Sequence, residues 1–119
     1  MMVRAARGAI TVPSDEAEHL LAQTAHLLGE MLERNGVSGD EIVSVLFTAT
    51  PDLRSAFPAE AARRMGLGAV PLLCAREIDV SDAMPRIVRV LMHFYTDRAR
   101  SEVSHVYLDG AEALRDDLD

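Results

Sequence analysis

The sequence contains no lysine and only one cysteine, Cys74, in its 119 residues. A single cysteine cannot form a disulfide within the chain, and such sparing use is typical of proteins in a reducing compartment. No apolar run has the length of a signal-peptide core or of a membrane-spanning helix. We therefore expect a cytoplasmic protein that does not associate with membranes.

Motifs for metal, nucleotide and covalent chemistry are also missing. The sequence has no CxxC, HExxH, GxxxxGK or GxGxxG motif, its histidines lack the spacing of metal ligands, and none is placed to activate Cys74. The formal net charge of −7 argues against general nucleic-acid binding, which depends on a basic surface. We expect no metal, no cofactor and no nucleic-acid partner.

All 12 basic residues are arginines. The planar guanidinium group binds carboxylates through two parallel hydrogen bonds, so arginines suit a site for a carboxylate ligand. A genome rich in G and C explains the same composition, because it favours arginine codons. The positions of individual arginines, rather than their number, must therefore indicate a function.

The first third of the chain predicts a strand followed by a long helix. Residues 2–12 have the apolar pattern of a strand, with Gly8 at a bend or bulge. Ser14 is the expected N-cap of the helix. Apolar residues recur at helical spacing from Ala17, and Asn35-Gly36 is a typical helix end.

The whole chain, residues 1–119, predicts a single α+β domain with the order β-α-β-(short α)-β-β-β. We expect the long helix to cover one face of a mixed sheet and a partner subunit to cover the other. Beyond residue 108 the tail is polar, and we expect it to be loosely ordered. The remaining predicted elements are strands at 41–49, 69–77, 86–95 and 103–108 and a short helix that begins at Pro58 and stops at Gly66.

Arg89 interrupts an apolar strand. In a strand over residues 86–95 its side chain shares a face with Leu91 and Tyr95, whereas the opposite face carries the apolar residues Val88, Val90, Met92 and Phe94. A guanidinium group in such a place needs a partner if it is buried. Arg89 therefore either forms an ion pair or lies at a sheet edge, or it points into a pocket as a ligand-binding cation.

Glu77, at the end of the predicted strand 69–77, is either a solvated carboxylate or a partner of Arg89 or of a ligand hydroxyl. Cys74 lies three residues earlier, so in a regular strand it points to the opposite face. A lone cysteine is most often a small buried hydrophobic residue. Arg7 and Tyr107 also have plain interpretations, as a surface charge and as a core aromatic residue.

Five blocks of the sequence resemble, in the same order, the trimeric chorismate mutases first known from Bacillus, the AroH class. The resemblance implies a mixed five-stranded sheet covered by one long helix, in a homotrimer that forms a pseudo-α/β barrel with active sites at the subunit interfaces. It implies conversion of chorismate to prephenate by an intramolecular [3,3] rearrangement in phenylalanine and tyrosine biosynthesis, without a cofactor or a covalent intermediate. The blocks read VRAARGAITV, FTATPDLRSAFPAEAAR, VPLLCAREIDV, PRIVRVLMHFYTD and HVYLDGAEALRDDL.

The resemblance also implies a role for each matching residue. Arg89 would stabilise the ether oxygen of chorismate and bind a carboxylate, while Glu77 and the region of Cys74 would hold the ring hydroxyl. The other implied substrate-binding residues are Arg7 and Tyr107 at the carboxylates, Phe57, Ala59, Leu72 and Leu73 from a neighbouring subunit, Arg63 and Arg115 near the pocket mouth, and Leu114.

Glu60 departs from this pattern, because some members of the family have a lysine here, near the pocket. The acid weakens any role for residue 60 in attracting an anionic substrate and shifts that role to Arg63. Two other functions fit the same residues. One is a non-catalytic trimeric module that binds a small carboxylate, and the other is a structural protein whose open sheet face is an interface. Turnover of chorismate distinguishes the enzyme from both.

Overall fold

The computed structural model describes residues 1–118, with side chains described as far as Arg115. Within this range the element order and the α+β class agree with the prediction. No described helix is long and apolar enough to cross a membrane. The strands are β1 (Met2–Thr11), β2 (Ile42–Ala49), β3 (Leu72–Arg76), β4 (Ile87–Thr96) and β5 (Val106–Leu108), and the helices are α1 (Ala17–Asn35) and α2 (Ala59–Arg64).

The strands form one mixed sheet in the order β3-β2-β4-β1-β5. Strand β4 is antiparallel to both of its neighbours, whereas β3 and β5 pair in parallel with β2 and β1 at the two edges. Arg89 therefore lies on the central strand, with Ala9 of β1 opposite it on one side and Thr48 of β2 on the other. This position surrounds Arg89 with side chains from both halves of the chain.

Side chains of β4 alternate between a covered and an open face, as predicted. Val88, Val90, Met92 and Phe94 are buried in a core that they share with the buried side of α1. Arg89, Leu91, His93 and Tyr95 are exposed or partly exposed on the other face. Since α1 covers only the first face, the second is open to solvent over much of the sheet in the single chain.

Helix α1 ends where predicted but begins differently. Gly36 has a left-handed conformation (φ 62°) and its N–H donates to the carbonyl of Glu33, which confirms the predicted stop. Ser14 is not the N-cap, so that prediction is wrong. The N-cap is Glu16, and the Ser14 hydroxyl instead hydrogen-bonds His19 Nδ1 at 2.7 Å.

Gly8 lies in a regular part of β1, so the predicted bend or bulge is wrong. The pairing of β1 with β4 continues through Gly8 without a register shift. A Cβ atom at this position would lie 2.6 Å from Met31 Sδ, 3.1 Å from Leu27 Cδ1 and 3.2 Å from the Val106 carbonyl oxygen. The glycine is therefore required by the close approach of α1 and β5 and not by the backbone conformation of the strand.

Both edge strands are shorter than predicted. Strand β3 begins at Leu72 and not at 69, because the N–H of Val70 closes a turn onto the carbonyl of Leu67. Strand β5 begins at Val106 and not at 103, because a 3-10 turn at Arg100–Glu102 precedes it. The polar tail, expected to be loosely ordered, forms a 3-10 helix over Ala111–Leu118.

Candidate active site

A cavity of about 350 Å³ opens on the uncovered face of the sheet. Among the described residues its charged side chains are Arg7 of β1 and Arg89 of β4, and Tyr107 of β5 adds a phenol. Two guanidinium groups beside an apolar wall favour a small organic anion, and a carboxylate above all. The cavity is completed by Gly8, Leu46, Thr48, Val90 and Leu91.

Arg89 forms an ion pair with Glu77 and also lines this cavity. Its Nε donates to Glu77 Oε2 at 2.9 Å, with the arginine side chain 44% exposed and the glutamate side chain 17% exposed. The ion pair predicted as one interpretation of Arg89 is thus confirmed. It uses one of the five donors of the guanidinium group, so it does not conflict with a role in ligand binding.

Thr48 belongs to the same cluster, although it was not among the residues predicted from the sequence. Its Oγ1 donates to Glu77 Oε2 at 2.7 Å, the oxygen that Arg89 also binds. The only signal for Thr48 in the sequence was its hydroxyl in the largely apolar run 41–49, a feature that Ser44 shares. Which residue lies opposite that hydroxyl depends on the register between strands that are distant in the sequence.

His105 holds β1 next to the cavity. Its Nδ1 accepts a hydrogen bond from the backbone N–H of Arg7 at 3.0 Å, which requires that Nδ1 carries no proton. Burial lowers the pKa of His105, and the positive charges of Arg7 and Arg115 lower it further. Geometry and electrostatics therefore both favour a neutral imidazole.

The C-terminal segment brings two more of the predicted residues to this side of the sheet. The guanidinium carbon of Arg115 lies 5.7 Å from the centroid of the Tyr107 ring, within the range of a cation–π contact. Leu114 and Tyr107 both pack against a small buried cluster that includes Ala9 and Ile87. Leu114 and Arg115 thus contact the surroundings of Tyr107 within one chain.

Phe57 and Cys74 lie apart from this cluster. They line a second cavity, of about 520 Å³, beside the loop that follows β2. Cys74 packs against the core beneath the sheet, whereas Glu77 binds Arg89 on the open face. The prediction that Cys74 and Glu77 point in opposite directions is therefore confirmed.

The other residues expected from a neighbouring subunit differ in accessibility. Leu72 packs against the core, whereas Leu73 is 60% exposed on the opposite face of β3. Ala59 is buried in α2, and within the described chain its side chain packs into the core and lines neither of these cavities. Phe57 is the most accessible of the set, at 73% exposure.

Glu60 neutralises two arginines on the surface of α2. Its Oε1 lies 3.0 Å from Arg63 Nη1 and its Oε2 lies 3.3 Å from Arg64 Nε. The hydrogen bond from Arg63 lowers the pKa of Glu60, with smaller help from Arg64, so the carboxylate is charged at neutral pH. The charge of Arg63 is therefore compensated by Glu60. This argues against the expectation that Arg63, in place of residue 60, attracts the anionic substrate.

The chain is similar to known proteins along its whole length. The family described as chorismate mutase type I matches residues 3–118. The chain is 52% identical over 119 residues to chorismate mutase AroH of Thermus thermophilus (99% of this chain, 98% of the relative). It is 40% identical over 119 residues to chorismate mutase AroH of Bacillus subtilis strain 168 (99% and 94%). A solved chorismate mutase from Clostridium thermocellum aligns with a TM-score of 0.90 at 47% identity (92% of this chain, 97% of that chain). The chain therefore belongs to the chorismate mutase type I family and is an isomerase of aromatic amino acid biosynthesis.

Proposed function

We propose that this chorismate mutase rearranges its substrate in the open-face cavity, with Arg89 beside the ether oxygen of chorismate. The [3,3] rearrangement breaks a C–O bond while a C–C bond forms within the same molecule. It needs no nucleophile, proton transfer or redox cofactor. The observation that supports the proposal most directly is the position of Arg89, which lines a cavity together with Arg7 and Tyr107. Arg89 is paired with Glu77, and the two residues also line a neighbouring cavity of about 360 Å³.

Two tasks fall to the protein in such a reaction. The flexible enolpyruvyl group must be held over the ring in a reactive geometry, and negative charge that develops on the ether oxygen must be stabilised. Arg89 suits the second task because a guanidinium group stays charged and its donors form a rigid fork. The ion pair with Glu77 fixes that fork before the substrate arrives, so little reorganisation is needed during the reaction.

Substrate binding falls to Arg7, Tyr107 and Glu77. Tyr107 lies opposite Ala9, and Ala9 lies opposite Arg89, so these residues form one row across three neighbouring strands. Tyr107 and Arg89 are thus roughly 10 Å apart along the row. Arg7 lies two positions further along β1, on the same face, which leaves room for a dianion whose carboxylates bind Arg7 and Tyr107. Glu77 would accept the ring hydroxyl.

A homotrimer with active sites at its interfaces would close the cavity, and a pseudo-α/β barrel is the assembly that we propose. The open sheet face exposes Val3, Leu73 and Tyr95, which is unfavourable in water unless another chain covers them. Phe57 and Cys74 line a cavity that Arg89 of their own chain does not line. They can therefore contact a substrate bound at Arg89 only if that arginine belongs to a neighbouring subunit.

We also propose that residues 1–119 form a single domain that works in the cytoplasm. Strand β1, from the start of the chain, pairs with both β4 and β5 from its second half, so one sheet joins the two ends. The single unpaired cysteine supports a reducing compartment.

The activity is tested by following the loss of chorismate in the ultraviolet with the purified protein. We expect turnover far above the uncatalysed rate, and binding without turnover would instead support the carboxylate-binding module. Light scattering should give three times the chain mass of 13.0 kDa. A fully active monomer would contradict the proposed interfacial site.

A further inference from the structure

We propose that Thr48 is a positioning residue for the rearrangement and that it acts through Glu77. The Thr48 hydroxyl donates to Glu77 Oε2 at 2.7 Å, and Arg89 Nε donates to the same oxygen at 2.9 Å. The inference rests on the proposed roles of Glu77 and Arg89 and extends them to the residue that orients their ion pair.

The backbone fixes Thr48 with respect to both members of that ion pair. Thr48 lies directly opposite Arg89 in the antiparallel pairing of β2 with β4. In such a pair the Cβ atoms are about 4.5–5.5 Å apart. On the other side, the backbone N–H of Glu77 donates to the carbonyl of Ala49, the residue after Thr48, at 3.0 Å. The hydroxyl therefore projects from a rigid strand between the arginine and the glutamate.

The hydroxyl selects one of two ways in which the ion pair can form. A carboxylate beside an arginine tends to bind the guanidinium fork with both oxygens. Because Thr48 and Arg89 both donate to Oε2 among the described residues, the carboxylate is turned so that Oε1 is left for the ring hydroxyl of the substrate. The arginine binds through Nε, and its remaining donors are kept for the ether oxygen.

The environment makes this hydrogen bond effective. The Glu77 side chain is only 17% exposed, so water competes weakly for its oxygens. Threonine is branched at Cβ and has few rotamers in a strand, which keeps its hydroxyl aimed at the carboxylate. Loss of the hydroxyl should thus change the orientation of Glu77 and, through it, that of Arg89.

The first test compares Thr48→Val with Thr48→Ser. Valine has the shape of threonine and favours strands, so the fold should be kept, as circular dichroism and light scattering would verify. We expect Thr48→Val to lower kcat roughly 10- to 100-fold, because this loss corresponds to the strength of a hydrogen bond to a charged group. KM should change far less than kcat, and Thr48→Ser should recover most of the wild-type kcat.

The second test is a double-mutant cycle with Glu77→Ala, which should lower kcat by itself. In that background Thr48→Val should have no further effect, because the hydroxyl has lost the group through which it acts. Ser44→Ala is the matched control. Ser44 is a hydroxyl on the same strand, bonded to His93 Nδ1 at 3.2 Å, and its removal should leave kcat unchanged.

The outcomes separate the inference from the function on which it rests. If Thr48→Val keeps the wild-type kcat while Glu77→Ala lowers it, the proposed role of Thr48 is overturned and that of Glu77 stands. An equal loss from Thr48→Val in both backgrounds would show that the hydroxyl does not act through Glu77. Wild-type kcat in Glu77→Ala would overturn the proposed role of Glu77 and the inference together.

Discussion

Arg89 Nε lies 2.9 Å from Glu77 Oε2 on the face of the sheet that α1 leaves open. Partly exposed ion pairs of this kind contribute at most about 1 kcal/mol to stability. A charged residue in the middle of the apolar strand β4 is therefore poorly explained by stability. Its position is explained if the pair serves to preorganise a cation for the developing charge of a transition state.

Replacement of Arg89 should separate catalysis from folding. Loss of one preorganised donor typically costs roughly 10²- to 10³-fold in kcat, so Arg89→Ala should lose at least that much. The free energy of unfolding should change by less than about 1 kcal/mol. Steady-state kinetics and urea unfolding measure the two effects. Citrulline at position 89 keeps the shape and most donors but removes the charge, and near-normal kcat in either variant would contradict the mechanism.

Glu60→Gln should improve capture of the anionic substrate. Removal of this carboxylate leaves the charges of Arg63 and Arg64 uncompensated, and the family resemblance implies that Arg63 lies near the pocket mouth. We expect kcat/KM to rise about two- to fivefold at low ionic strength, and the gain to disappear above roughly 0.5 M salt. The measurement is kcat/KM as a function of salt concentration.

Glu30→Gln provides the control for this prediction. Glu30 forms a comparable pair with Arg34 on α1, at 2.8 Å, and is distant from Arg63 along the chain. Both variants change the net charge equally, so an equal gain in both would show that overall charge, rather than the arginines of α2, governs capture.

The alternating faces of β4 and the end of α1 could be predicted because both follow from local patterns. Period-two alternation placed Arg89 opposite the apolar face, and Asn35-Gly36 is a local stop signal. Thr48 could not be predicted in the same way. Its role depends on the register between β2 and β4, and the sequence of either strand alone does not encode that register.

The error at Gly8 has a similar origin. A glycine in a strand suggests a bulge when only the neighbouring residues are considered. Here the reason for glycine lies in α1, where Met31 occupies the space of a side chain. Likewise, the family pattern indicated Cys74 and Phe57 as site residues, but their separation from Arg89 became visible only in three dimensions.

Two glycine substitutions should have opposite effects on stability. Gly8→Ala places a Cβ against Met31, which is fully buried and has little room to move, so it should destabilise the chain by about 1–3 kcal/mol. Gly29→Ala lies in α1 with open space around it and should stabilise the helix by up to about 1 kcal/mol. Urea unfolding at one protein concentration measures both. A neutral Gly8→Ala would show that the Met31 side chain, or α1 with it, can move away from β1.

The hydrogen bond between Arg7 and His105 makes a prediction about pH. Burial, together with the charges of Arg7 and Arg115, lowers the pKa of native His105 below its ordinary value of 6.5. Below pH 6.5 the unfolded chain therefore takes up a proton that the native chain does not. The contribution of His105 to the free energy of unfolding is full above pH 6.5 and falls as the pH drops from there towards the lowered native pKa.

His105→Asn tests this directly, since the side-chain oxygen of asparagine can accept the Arg7 N–H but does not titrate. Urea unfolding between pH 8 and pH 5 should show that the wild type loses stability relative to the variant only below pH 6.5. KM should follow the same trend, because protonation of Nδ1 removes the bond that holds the backbone of Arg7 in place. A difference between the two proteins that stays constant with pH would mean that His105 is not the group that titrates.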